Sequence, residues 1–412
     1  MFLHIKNLGL IDVAEIELNG ITVIAGKNNT GKSTVSKALF CIASSFYDAE
    51  NVIRLERFEA ILHRTSSDIA NFVYENENDI KKDMEQLRRV MTDHYQHFFS
   101  FDGENVDGEG VKEHVDGLLE EIGKLMATSD IAVMRGMLSR KFKAEFGIQM
   151  HNLYRGSNLS EVTLDIVARE INVKIENNQI GEISDITGTS TEVIYIDDPF
   201  ILDNLNQLSR RNLFYRSQSS RREHLRRLLD DGQKNRSVID EVLTSTKLDK
   251  ILELINKICP GDMETRTRVG TTFIDGHSGK ISMANVSTGL KSFIIIKTLL
   301  LNGQLKDGGI IILDEPEIHL HPEWQIVFAE LIVLLQKQFN MRILINTHSP
   351  YFMMALEDYS VFHNIADKCR YYLMESNGKI ATTKDVSNNT KEVYKKFLKP
   401  IQELEDRRYK HD

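Results

Sequence analysis

"GKNNTGKST", Gly26 to Thr34, decides how the rest of this 412-residue chain is read. It places Gly26, Gly31, Lys32 and Ser33 at the spacing glycine, four residues, glycine, lysine, serine. The apolar run "ITVIAG" precedes it and the helical pattern "KSTVSKALFCIASSFY" follows, giving buried strand, glycine loop and helix. In that setting the loop reads as a phosphate cradle. Gly26 and Gly31 permit backbone angles that turn the amides of Asn28, Asn29, Thr30 and their neighbours through Thr34 toward one anion. The helix N-terminus adds partial positive charge. Lys32 is expected to reach the β- and γ-phosphates and the Ser33 hydroxyl to help hold Mg²⁺, so ATP and Mg²⁺ are the expected ligands.

Such a loop needs an acidic strand end beside it, and two strings offer one: "VIYIDDP" (193–199) and "IIILDEP" (310–316). The second is preferred. Asp314 is expected to ligate Mg²⁺, and Glu315 to act as general base on the attacking water. Asp198 in the first string is one methylene shorter than a glutamate. "ILINTHS" then supplies another strand tip, where His348 can sense the γ-phosphate. Asp197 and Asp198 are read as a strand end with a turn-setting proline, or as a coupling point near the nucleotide.

"NVSTGL" (285–290) precedes the apolar helix "LKSFIIIKTLLL". Ser287, Gly289 and the helix start form a second anion-binding surface. One nucleotide on one chain does not need both surfaces, but two chains facing head to tail do. The expected assembly is therefore a homodimer or higher even oligomer glued by ATP.

The expected fold class is α/β, a P-loop ATPase head interrupted by helical insertions. Strands come from three separated blocks and are expected to share one sheet. The boundaries are head 1–45, helical insertion 46–154, middle strands 155–200, basic helical segment 201–268, head 269–380 and helical tail 381–412. The net charge of −9 argues against wrapping nucleic acid with the whole surface. Three widely spaced cysteines fit a reduced, cytoplasmic protein. No export signal is evident, and the longest apolar run, "FIIIKTLLL", is too short to span a membrane and is broken by Lys297. Locally, 209–227 carries Arg210, Arg211, Arg216, Arg221, Arg222, Arg226 and Arg227 against Glu223 alone, seven minus one, or +6. That stretch suits DNA or RNA phosphates, an acidic partner, or a solvated face with one arginine touching nucleotide. The alternating His319 and His321 near Glu317 are weak evidence for a further metal. Trp324, the only tryptophan, reads as core or interface packing.

"GKNNTGKST", "VSTGL", "IIILDEPEIHLHPEWQ" and "INTHSP" together resemble the ABC/SMC-type heads of OLD-like and RecF-like ATPases. Within them the chain is similar to the stand-alone ATPases of bacterial antiphage systems of the Septu type, including retron-associated forms. The resemblance implies that the serine-glycine turn is the transporter-type signature. Thr288 fills a position usually taken by glycine or serine, so weakened rather than absent function is expected. It also implies a separate effector protein, an HNH-type nuclease, restrained or scaffolded by the ATPase. OLD-type nucleases carry a TOPRIM domain after the head; the residues after Asp358 are too few for one, so no nuclease activity is expected in this chain. The alternative is a RecF-like or SMC-like role in DNA repair or recombination.

Overall fold

Apolar alternation at the start of the chain produces β1 (Phe2–Leu8) and β2 (Ile11–Glu17), and the continuous run after them forms β3 (Ile21–Gly26), buried on both faces. The computed structural model describes all residues except 81–83, 102–107, 168, 208–219, 231–237, 267–269, 276–278 and 409–412. Arg210, Arg211 and Arg216 lie outside the described residues.

Helix α1 (Lys32–Phe46) follows the glycine loop. A helical block comes next: α2 (Ala49–Leu62), α3 (Ser67–Glu75), α4 (Glu77–Ile80), α5 (Met84–Phe101), α6 (Gly108–Ala127) and α7 (Asp130–Phe146). Ser66 and Ser129 cap α3 and α7, accepting from the amides of Ile69 and Ala132. The chain then returns to strands β4 (Leu159–Ile166), β5 (Arg169–Glu176), β6 (Gln179–Ile183) and β7 (Val193–Ile196), and to helices α8 (Arg221–Asp230) and α9 (Val238–Ile258). Strands β8 (Asp262–Arg266), β9 (Gly270–Asp275) and β10 (Gly279–Ser282) lead into α10 (Thr288–Leu301). The last portion is β11 (Ile310–Asp314), α11 (Pro322–Phe339), β12 (Arg342–Thr347), α12 (Pro350–Phe362), β13 (Cys369–Ser376), β14 (Ala381–Asp385) and α13 (Lys391–Arg408).

Eleven strands form one sheet in the order β6-β5-β4-β1-β2-β14-β13-β3-β12-β11-β7. From β13 through β3, β12 and β11 to β7 every pairing is parallel. Parallel strands need both faces covered, and the side-chain period of two divides the core accordingly. Val23, Ile311, Leu313, Ile343 and Ile345 face the cluster containing α10, α11 and α12. Ile24, Ile310, Ile312 and Leu344 face the cluster containing α1 and α7. A third cluster, from Ile61 to Met126, lies within the helical block itself.

The expectation of one sheet needs a correction. Strands β8, β9 and β10 form a separate antiparallel sheet of three. Residues 262–266, read as the end of a helical segment, are a strand because "DMETR" pairs with β9 over its whole length. Strand β14 was also not anticipated; its alternation is short and polar, and it is held between β13 and β2.

Candidate active site at the parallel strand tips

The phosphate loop departs from its sequence reading in one respect. Only Gly31 uses the left-handed region, at φ 95°, joined there by Asn29 at 57°. Gly26 is required for space instead: a Cβ there would lie 2.7 Å from the Met374 carbonyl on neighbouring β13. The Thr30 hydroxyl donates to the Lys27 carbonyl at 2.8 Å, closing the loop on itself. The Lys32 ammonium is buried and donates to the carbonyls of Gly26 and Lys27, both at 3.0 Å. Burial lowers its pKa, opposed by Glu315, Asp314 and Glu317. Asn28, Asn29, Thr30, Gly31, Lys32, Ser33, Thr34 and Glu315 share the wall of one cavity of about 460 Å³.

Because β3, β12 and β11 are adjacent and parallel, their C-terminal ends meet beside this loop. Asp314 is held from two sides: Asn346 donates to Oδ1 at 2.7 Å, and the Tyr195 hydroxyl donates to Oδ2 at 2.8 Å. Asn346 is fully buried, and its amide also lies 2.8 Å from the Ser36 hydroxyl in α1. Glu315 follows at φ 52°, an uncommon conformation for a glutamate and one concentrated at functional turns. Its amide still donates to the Asn346 carbonyl at 2.9 Å. Its Oε1 lies 3.7 Å from Lys32 Nζ and 3.5 Å from His348 Nδ1. The structure thus brings Lys32, Asp314, Glu315 and His348 together.

Tyr195, Asn346 and the burial of Glu317 at this site were not anticipated. Tyr195 is fully buried on β7, and burial together with the Asp314 charge raises its pKa well above the ordinary value. A tyrosine inside the aliphatic string "VIYID" was the available signal. Glu317 is 2% exposed; its Oε1 accepts from the Thr347 hydroxyl at 2.6 Å and the His348 amide at 3.1 Å. Burial raises its pKa. Asn346 carries no sequence signal beyond its place two residues before His348.

The first acidic string is occupied otherwise. Arg221 Nε donates to Asp197 at 2.9 Å, its guanidinium also pairs with Glu145 of α7, and it lies 5.2 Å from the centre of the Tyr195 ring. Arg222 pairs with Asp198 at 3.2 Å. Arg227 lies 2.7 Å from His224 Nδ1, and Arg226 is half-buried on the same helix. Of the described arginines in this stretch, Arg221 is turned inward, because its partner Glu145 is buried and must be neutralised.

At the other predicted anion surface, Ser287 is exposed and stands at the N-cap of α10 with no side-chain cap bond. Gly289 is buried; a Cβ there would lie 2.8 Å from the His319 carbonyl and 3.3 Å from the Trp324 ring. The glycine thus lets α10 pack against the segment after β11. His319 and His321 are exposed; the His319 ring stands edge-on to Phe200. Among the described residues no group of three His, Cys, Asp or Glu side chains is arranged to hold a metal. No described helix is long and apolar enough to cross a membrane.

Ser33 and Asp314 offer a hydroxyl and a carboxylate, hard oxygen donors that fit Mg²⁺. Each Asp314 oxygen accepts one hydrogen bond and retains acceptor capacity, so the residues present suit that ion.

Retron Ec83 probable ATPase of Escherichia coli is 25% identical over 159 residues, 34% of this chain and 29% of that protein. Retron Vc95 probable ATPase of Vibrio cholerae serotype O1 biovar El Tor is 32% identical over 85 residues, 18% of this chain and 16% of that protein. The aligned stretches therefore span less than a third of either relative. Among solved structures, the SMC head domain from Thermotoga maritima is 10% identical, with 93% of this chain and 98% of that one covered at a TM-score of 0.40. An Smc head domain with an extended coiled coil, bound to the C-terminal domain of ScpA from Pyrococcus furiosus, is 11% identical, with 97% and 98% covered at 0.41. The model of the AAA ATPase domain family matches residues 1–353, phosphate loop and acidic strand ends included, and the chain belongs to that family.

Proposed function

We propose that this chain binds and hydrolyses ATP as the switch subunit of a bacterial antiphage defence complex, dimerising head to tail around the nucleotide and controlling a separate effector nuclease of the HNH type. The observation that carries the catalytic part is the convergence of Lys32, Glu315 and His348, joined through Glu315 Oε1 at 3.7 and 3.5 Å. Lys32 offsets charge on the β- and γ-phosphates. Glu315 takes the proton of the attacking water, and His348 orients that water and the carboxylate. Ser33 and Asp314 would hold Mg²⁺, which supplies charge neutralisation on the phosphate oxygens.

The head-to-tail dimer is supported by Ser287, exposed at a helix start with no cap bond of its own. The defence role is supported by the retron names of the relatives. Native mass of wild type and Glu315→Gln, with and without ATP and Mg²⁺, is the test. The variant is expected to bind ATP, release no phosphate and accumulate as an even oligomer. Phosphate release by the variant at the wild-type rate would overturn the role of Glu315. A mass indifferent to ATP in both proteins would overturn the dimer.

A further inference from the structure

The cavity beside the phosphate loop has a second wall. Gly9 of the β1–β2 turn sits with its Cα side 3.4 Å from the Thr34 side chain, measured to where a Cβ would stand. The Gly9 amide donates to the Met150 carbonyl at 2.6 Å, and Leu8 bridges His151. The segment after α7 is thereby pinned next to the loop, and Gln149, His151, Asn152, Leu153 and Tyr154 line the same cavity. Fully buried Asn152 fixes its course: its amide donates to the Lys379 carbonyl at 3.1 Å, and its Oδ1 accepts from the Tyr154 amide at 2.8 Å. Two apolar groups nevertheless stay open, Leu153 at 71% and Tyr154 at 59% exposure. Lys379 Nζ stands 5.9 Å from the Tyr154 ring centre.

Asn178 sets the tautomer of His151. Asn178 Oδ1 accepts from the amides of Met150 at 2.8 Å and His151 at 3.2 Å, which identifies that atom as the oxygen. The same oxygen lies 2.8 Å from His151 Nδ1, so Nδ1 must carry the hydrogen. Neutral His151 then presents Nε2 as an acceptor only.

We propose that His151 and Tyr154 form the base subsite of the nucleotide site and select adenine over guanine. Tyr154 supplies a stacking face, and purine rings stack on aromatic side chains regardless of identity. His151 Nε2 accepts a hydrogen bond from the 6-amino group of adenine. Guanine carries a carbonyl oxygen at that position, and two acceptors repel. The inference rests on the ATP reading of the phosphate loop.

Dissociation constants of ATP, GTP and inorganic tripolyphosphate, measured by calorimetry on the full chain, test it. Wild type should prefer ATP to GTP by about tenfold, the value of one hydrogen bond of about 1.4 kcal/mol. His151→Ala should erase the preference, weakening ATP and relieving the repulsion of GTP. Tyr154→Ala should weaken ATP and GTP together by about tenfold, Tyr154→Phe should restore both, and tripolyphosphate should bind equally to all. Tyr154 is exposed, so its variants keep the fold; melting curves check His151→Ala. ATP binding unchanged in folded His151→Ala and Tyr154→Ala, alongside its loss in Lys32→Ala, would overturn the subsite and leave the loop reading standing. Wild type binding neither ATP nor tripolyphosphate would overturn both.

Discussion

The hydroxyl of Tyr195, on the edge strand β7, donates to Asp314 Oδ2 at 2.8 Å across to β11, while Arg221 lies over the same ring. Removing that hydroxyl leaves the aromatic packing in place and takes one restraint from Asp314. Tyr195→Phe is therefore expected to raise the Mg²⁺ concentration at half-maximal ATP hydrolysis about fivefold, equivalent to about 1 kcal/mol. The melting temperature should barely change. A Mg²⁺ titration of phosphate release checks it, and an unchanged midpoint would show that Asn346 alone positions Asp314.

Arg221 and Arg222 are neighbours in sequence with unequal surroundings. Arg221 is 19% exposed and faces Glu145, whose side chain is fully buried; Arg222 is 55% exposed and pairs with Asp198. Arg221→Ala leaves an uncompensated buried carboxylate and should destabilise the chain by about 3–5 kcal/mol. Arg222→Ala should cost under about 1 kcal/mol. Urea denaturation of both variants gives the comparison, and equal losses would contradict the inward role of Arg221.

Ser287 and Gly289 separate assembly from folding. Ser287 makes no cap bond, so Ser287→Ala should leave the melting temperature within a degree or two while reducing ATP-dependent dimerisation. Gly289→Ala pushes a methyl to within 2.8 Å of the His319 carbonyl and should lower the melting temperature whether or not ATP is present. Native mass and thermal melts on the two variants distinguish the effects.

His224 sets an acid limit. Its Nε2 lies 3.1 Å from the Val193 carbonyl, its Nδ1 faces Arg227, and Phe40 packs on the ring. Burial, with repulsion from Arg227 and Lys141, pushes its pKa down from 6.5 to about 3. The folded state thus favours the neutral ring. That contribution is fully present above pH 6.5 and is lost as pH falls toward 3, by up to about 1.4 kcal/mol per pH unit. Gln can reproduce both hydrogen bonds without titrating. Between pH 7.5 and 5, wild type should lose about 2 kcal/mol more than His224→Gln in urea denaturation. Parallel losses would assign the acid limit to other groups.

The strand, loop and helix around Lys32 were legible because local pattern dictates each of them. Asp314, Glu315 and His348 were legible for the same reason: each ends an apolar run, and parallel neighbours place their ends at one edge. The supporting layer was not legible. Tyr195 reaches Asp314 only because β7 pairs with β11, a contact between residues 119 apart in the chain. The inward turn of Arg221 depends on Glu145, 76 residues earlier. The reading of Gly26 as a backbone-angle glycine failed because its constraint comes from Met374 on another strand. Pattern reports what a residue does to its own segment; these roles belong to pairings made after the segments meet.

The block from α2 to α6 keeps a core of its own, from Ile61 to Met126, while Ala49 and Ile53 at the near end of α2 and Met134 to Phe142 on α7 belong to the head. One junction with the head thus falls inside α2, and the other at the short turn between α6 and α7. Such an arrangement is modular: the block can open as a local unit while the nucleotide-facing half of the molecule keeps its packing.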